Sequence, residues 1–420
     1  MVPRPIASTV GDIPLDPTPL VGRRADLAEA AGLLATPLCR LLTLVGPGGV
    51  GKTRLAIHLA AQAGNAFPDG IRFVSLQGIA APDLLVPALA GALRLPLSGT
   101  DDPRTRLLGH LRAKAMLLVL DSFEHLLDGA TLLADLLGAA PRVKLVVSSR
   151  VALNLRQEWL YPVQGLPYPP DPARDRPAAE DAEARADMAP AQASPADQPE
   201  ADAETDGAYP AAQLFVERAR HVRRDFSLEA EGAEVARICR LVGGLPLAIE
   251  LAASWTKVLP CATIADEITS GLGMLATSLR DVPERHRSMQ AVFDHSWRLL
   301  SDQERNVLAR LSVFRGDFDR TAAEQVTGAS LHILSALVDH SMLRAESGGR
   351  YRLHDLLRQY AEARLGEMPG AADRAHERRC AYYADFLDAR LADVLGGRQR
   401  ESVAEIELEL DNVRTAWRWA

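Results

Sequence analysis

One stretch of eight residues constrains this chain more than any other: Gly46-Pro47-Gly48-Gly49-Val50-Gly51-Lys52-Thr53, set between an apolar run at 40–45 and a helical pattern at 53–61. Glycines at this spacing let backbone N–H groups turn inward at a helix N-terminus, where the helix dipole also favours an anion. Such a loop is built to cradle phosphates, with Lys52 reaching the β- and γ-phosphates and the Thr53 hydroxyl ligating Mg²⁺. It also demands a strand before it and a helix after it. Further strand-like runs at 71–76, 116–120 and 143–148 alternate with helical stretches at 83–93 and 123–137. That alternation predicts a parallel sheet covered by helices on both faces, an α/β P-loop nucleotide-binding domain over residues 19–168.

The phosphate loop needs a carboxylate at a neighbouring strand end to hold the magnesium, and Asp121, directly after the run 116–120, supplies it. The next residue is Ser122, where many ATPases place an acidic general base, so Glu124 is the nearest candidate. Glu124 is either that base or a solvated first-turn helix acid, and a base displaced by even about 1 Å loses much of its rate. The expectation is a slow Mg-dependent ATPase at most, with Lys52, Asp121 and Glu124 as its catalytic set.

At 420 residues the chain exceeds one compact core, and at about 150 residues per domain roughly three are expected. With 47% hydrophobic but only 5% aromatic residues, it should be mostly helical apart from one sheet. The net charge of −8 gives no overall attraction to nucleic acid or anionic membranes, so any DNA contact requires a local patch. Cys39, Cys239, Cys261 and Cys380 lie far apart without metal or disulfide spacing and read as reduced thiols. Neither a secretory start nor a membrane-length apolar run is present, so a cytoplasmic protein is expected.

Beyond the first domain, residues 169–209 turn to Pro, Ala, Asp and Glu and read as a disordered acidic linker, either a passive spacer or a regulatory strap. Helical periodicity returns over 210–284, broken at Gly243-Gly244-Leu245-Pro246 and Pro260. Ser301-Asp302-Gln303-Glu304 is a capping box. The helices it introduces and a hairpin turning at 346–349 predict a winged helix over 285–368. Residues 369–420 form a C-terminal helical pair divided at Gly396-Gly397, and its pattern stops midway, suggesting a further C-terminal region.

Taken in order, these motifs resemble those of the signal-transduction ATPases with numerous domains (STAND), including the NB-ARC proteins and many bacterial regulators. Val21-Gly22-Arg23-Arg24 is similar to the family's opening motif, which packs beside the adenine. Arg24 stands there in place of the usual acid. Ser148-Ser149-Arg150 looks like its sensor motif, whose arginine reads the γ-phosphate. Gly244-Leu245-Pro246-Leu247 matches the motif whose proline rests on the adenine, and Leu353-His354-Asp355 stands where the family's histidine contacts the β-phosphate of ADP. The resemblance implies ATP/ADP and Mg²⁺ as cofactors. It implies nucleotide contacts from Val21, Gly22, Arg23, Gly46, Gly48, Gly49, Val50, Gly51, Lys52, Thr53, Arg54, Arg150, Pro246 and His354, with Thr53 and Asp121 on the metal. The C-terminal helices resemble the start of a tetratricopeptide-type sensor.

The function so implied is a switch: an ADP-bound, monomeric resting form and an ATP-bound, homo-oligomeric active form answering an activating ligand or protein. The alternative is a DNA-binding transcriptional regulator, reading DNA through the winged helix or through an effector domain absent here. The stretch 331–340 carries no Lys or Arg, whereas basic residues cluster at 280–287 and 374–379. A small-molecule ATPase or kinase is a third class, and no second set of convergent catalytic residues supports it.

Overall fold

The computed structural model describes residues 13–14, 19–97, 102–170, 209–277 and 287–420. Most of the acidic stretch (171–208) and of the basic cluster near 280 (278–286) therefore lies outside the described residues. The chain divides into two units, residues 1–164 with 271–420, and residues 165–270.

The first unit begins with α1 (Arg24–Ala35), β1 (Leu41–Val45) and α2 (Lys52–Gln62). β2 (Ile71–Ser75), α3 (Leu85–Ala92), α4 (Pro103–Leu111), β3 (Leu117–Asp121), α5 (Thr131–Ala139), β4 (Lys144–Ser149) and β5 (Glu158–Pro162) follow. The five strands form one parallel sheet in the order β2-β3-β4-β1-β5. Its inner strands are buried almost end to end, as they must be when helices cover both faces. Leu118, Leu120, Leu145 and Val147 pack with Leu85, Leu107, Leu133 and Leu136 from the helices on one side.

The helix expected from residue 123 starts only at Thr131. Ser122 adopts a left-handed backbone (φ 66°), and the Phe123 N–H is spent on the Ser148 carbonyl (3.0 Å), which pins the chain to the end of β4. Phe123 and Leu126 are buried in the core instead.

The second unit holds α6 (Pro210–Val222), α7 (Leu228–Leu241), α8 (Pro246–Ala253) and α9 (Cys261–Ser270). Between α7 and α8, Gly244 has φ 66° and lies so close to Leu166 that a Cβ would overlap the Leu166 carbonyl, which is why only glycine fits this corner. Pro246 then opens α8, where its missing N–H costs nothing.

The first unit resumes with α10 (Met289–Leu299), α11 (Asp302–Leu311), β6 (Phe318–Asp319), α12 (Arg320–Thr327), α13 (Leu331–Asp339), β7 (Arg344–Glu346) and β8 (Arg350–Arg352). The strands pair antiparallel in the order β6-β8-β7, completing a winged helix. The capping box is present as expected: Ser301 Oγ accepts the Glu304 N–H (3.3 Å), and the Ser301 N–H donates to Glu304 Oε2 (2.7 Å).

α14 (Asp355–Gly366), α15 (Ala371–Val394), α16 (Gln399–Leu408) and α17 (Leu410–Trp419) end the chain. The second helix of the expected pair is thus broken into two at Glu409. That carboxylate is 4% exposed and accepts from Tyr383 OH (2.7 Å) while pairing with Arg350 (2.6 Å). Among the described residues, no helix is long and apolar enough to cross a membrane, and no cluster of His, Cys, Asp and Glu could hold a metal by itself.

Candidate functional site

The loop leaving β1 enters α2 at Lys52, whose Nζ donates to the Gly46 (2.7 Å) and Pro47 (2.9 Å) carbonyls and so lies across the mouth of the loop. Asp121 closes β3, with β4 lying between β3 and β1 in the sheet. Thr53 Oγ1 (2.6 Å) and Ser148 Oγ (2.5 Å) both donate to Asp121 Oδ1, and Ser148 Oγ in turn accepts the Ser122 N–H (2.9 Å). Gln77 Nε2 reaches the other carboxylate oxygen at 3.4 Å. A hydroxyl and a carboxylate held together where a glycine-rich loop enters the N-terminus of α2 are hard oxygen donors of the kind Mg²⁺ takes when it also binds phosphate, so the residues present fit the expected metal and anion.

The arginines of the expected site do different work. Arg23 is 4% exposed, and its guanidinium donates to the Val50 (3.0 Å) and Gln164 (2.5 Å) carbonyls and pairs with Asp26 (3.2 Å). It braces the phosphate loop from behind, just after Val21 and Gly22. Arg54 reaches outward to the Pro19 carbonyl (3.0 Å).

Arg150, just past β4, is 3% exposed and turns toward α10. Its Nη1 donates to the Val292 carbonyl (2.8 Å) and to Ser296 Oγ, and its Nε lies 3.3 Å from Glu124 Oε1. His295 Nε2 is 3.8 Å from the same oxygen, and Ser341 Oγ, just after α13, donates to the Arg150 carbonyl (2.7 Å). α10, through its contacts with the side chain, and Ser341, through the Arg150 carbonyl, are therefore held at the end of β4 by this arginine. Burial by itself would raise the Glu124 carboxyl, but the charges of Lys52, Arg150 and His295 outweigh it and hold the group below the ordinary carboxylate range. A carboxylate so stabilised accepts protons poorly, which argues against efficient general-base action.

Gly48 meets α10 directly. A Cβ there would overlap Val292 Cγ1 and come within 2.9 Å of the Arg150 guanidinium. Gly48→Ala should destabilise the docked form by about 1–3 kcal/mol, the usual cost of overpacking. The change should read out as a lower melting temperature and faster proteolysis around α10. Unchanged values would mean that this contact is loose.

His354 caps α14, its Nδ1 accepting the Leu356 N–H (3.2 Å). Pro246 belongs to the second unit. Residues outside the expected set also shape the site: Gln77 at Asp121, and Val292, His295 and Ser296 on α10. The position of α10 is legible in principle, since its buried Met289, Val292, Phe293 and Ser296 fall at helical spacing.

The family model described as an AAA domain matches residues 37–148, and one described as a winged helix-turn-helix domain matches 300–366. The Mycobacterium tuberculosis protein Rv0894, named only as uncharacterized, is 33% identical over 370 residues, covering 85% of this chain and 83% of its own length. Rv0890c of the same species, named as an HTH-type transcriptional regulator, is 33% identical over 398 residues, or 91% of this chain. The regulatory protein AfsR of Streptomyces coelicolor is 28% identical over 420 residues, or 94% of this chain. The chain spans 40% of the length of Rv0890c and 36% of that of AfsR. It belongs with Rv0894 to one family, in which this chain carries an AAA-type P-loop domain followed by a winged helix, and it is related to the AfsR regulators.

Proposed function

We propose that this chain is the nucleotide-operated control core of a transcription regulator, and that ATP and ADP set whether its winged helix stays docked. The contact of Arg150 with α10 carries the proposal: the arginine to which the sequence resemblance gives the γ-phosphate is the same group that holds Val292 and Ser296. In the ADP form Arg150 keeps α10. In the ATP form it turns to the γ-phosphate and releases α10, while Lys52 leaves the Gly46 and Pro47 carbonyls for the phosphates and Thr53 and Asp121 hold Mg²⁺. His354 would add a contact that favours the resting form.

A ligand moves an equilibrium only through differential affinity for the two states. One hydrogen bond to a charged group contributes about 1.5–3 kcal/mol, short of the about 5.5 kcal/mol that full inversion requires. Nucleotide alone should therefore bias the switch, leaving the rest to an activating partner. Hydrolysis should be slow, because Ser122 follows Asp121 where many ATPases place the acidic base, and the nearest carboxylate, Glu124, is displaced from that position.

The transcriptional output is supported by the name of Rv0890c, and the winged helix serves better here as a docking element than as a DNA reader. α13 contains no Lys or Arg. In the wing, Arg344 pairs with Glu346 (3.1 Å), Arg350 with Glu409 (2.6 Å) and Arg352 with Asp317 (2.6 Å).

Hydrogen exchange of the 289–299 amides tests the proposal. Mg-ATPγS should raise their exchange relative to ADP, with the sheet strands unchanged. Identical exchange in both nucleotides would overturn it.

A further inference from the structure

Three arginines away from the strand ends converge on one cleft, with no carboxylate among the described residues paired to any of them. Arg374 and Arg378 project from α15, four residues apart on one face, and Arg310 comes from α11. With Val326 of α12 and the small residues Ala371 and Ala375, they line a cleft of about 40 Å³. Arg310 donates to the Thr327 carbonyl (3.2 Å) and Arg374 to the Pro369 carbonyl (3.4 Å). Neither Asp373 nor Glu377 reaches them in an ion pair, although both alternate with the arginines along α15.

The contrast with the winged helix alongside is informative. The wing arginines are all paired, and so are the arginines of the roomier cleft beside Trp297, about 330 Å³, where Arg305 meets Asp302 and Arg364 meets Asp294 and Glu367. A chain of net charge −8 has carboxylates to spare. Three guanidinium groups left together without one make a local field that attracts an anion, and their fork of N–H donors matches a tetrahedral oxyanion. The cleft has room for one such group and is open to solvent, so whatever carries the anion stays outside.

We infer that Arg310, Arg374 and Arg378 form a binding site for a backbone phosphate of duplex DNA. The inference rests on the transcription-regulator reading above, and it deepens that reading by placing the DNA contact on α11 and α15 instead of on α13. Phosphate contacts of this kind position a protein on the duplex without reading its sequence, and their affinity falls with salt.

The test is fluorescence anisotropy of a labelled random-sequence duplex with the full chain, from low to moderate salt. R374E/R378E should bind at least about tenfold more weakly, with a log–log salt slope shallower by about one for each phosphate no longer neutralised. R374K/R378K, which keeps charge but loses the planar fork, should retain the salt slope with weaker affinity. R398E/R400E makes the same change in net charge on an exposed helix end and should leave binding unaltered. Equal binding by wild type and R374E/R378E, or equal loss in R398E/R400E, would overturn the site. If wild type binds inorganic phosphate at the triad but no duplex, the DNA assignment is wrong and the anion is a free phosphate. Mg-ATP affinity measured on the same samples separates the two readings: loss of DNA binding with intact ATP affinity concerns the triad, whereas absence of ATP binding in wild type concerns the switch.

Discussion

Lys52→Ala should lower the affinity for both Mg-ATP and ADP by about a hundredfold or more while the protein stays folded. Charge-assisted hydrogen bonds contribute about 1.5–3 kcal/mol each, and in the proposed function the ammonium serves two phosphates, so about 3–6 kcal/mol of binding would depend on it. Each 1.4 kcal/mol is about a factor of ten. In the structure the same ammonium bridges the Gly46 and Pro47 carbonyls, so it already lies against the loop. Those carbonyls can turn to water in the variant, so the thermal transition should move little. Titration calorimetry with each nucleotide gives the answer, and wild-type affinity in Lys52→Ala would remove the basis for the nucleotide site.

Arg150→Ala should have the largest effect on stability. The guanidinium and the Glu124 carboxylate are 4% and 5% exposed, and removing one partner of a buried pair costs about 3–5 kcal/mol because the other charge is left behind. Lys52 and His295 still face Glu124, which places the expected loss near the lower end of that range. Two bonds to α10 vanish as well, so the winged helix should loosen: protease should cut sooner around 289–299, and exchange there should no longer respond to ATP. Adding Glu124→Gln should recover part of the stability, since a neutral amide tolerates the gap better than an ion, but should not restore α10. If Arg150→Ala melts like wild type and keeps α10 protected, the arginine is not what holds the winged helix.

Features written in contiguous residues are legible in this amino-acid sequence before any folding is considered. The phosphate loop is such a feature because eight successive backbone units make the anion cradle, and Asp121 is another because it directly follows an apolar run that can only be an inner strand. The Ser301–Glu304 capping box and the hairpin of the wing are local in the same sense: each is settled within a few residues by backbone conformation and a nearby side chain. Ser122 and Phe123 mark where local reading stops, since the helical pattern after Asp121 yields to a hydrogen bond with Ser148, 25 residues beyond Phe123. The sequence likewise singles out Arg150 through its motif, but not its partners. Val292 and Ser296 lie more than a hundred residues away, and only folding brings them to the end of β4. The break at Glu409, the bracing role of Arg23 and the meeting of Arg310 with Arg374 and Arg378 arise in the same way. A side chain's partner depends on which distant groups share its burial and which charges remain to be matched there, and neither quantity exists until the chain has folded.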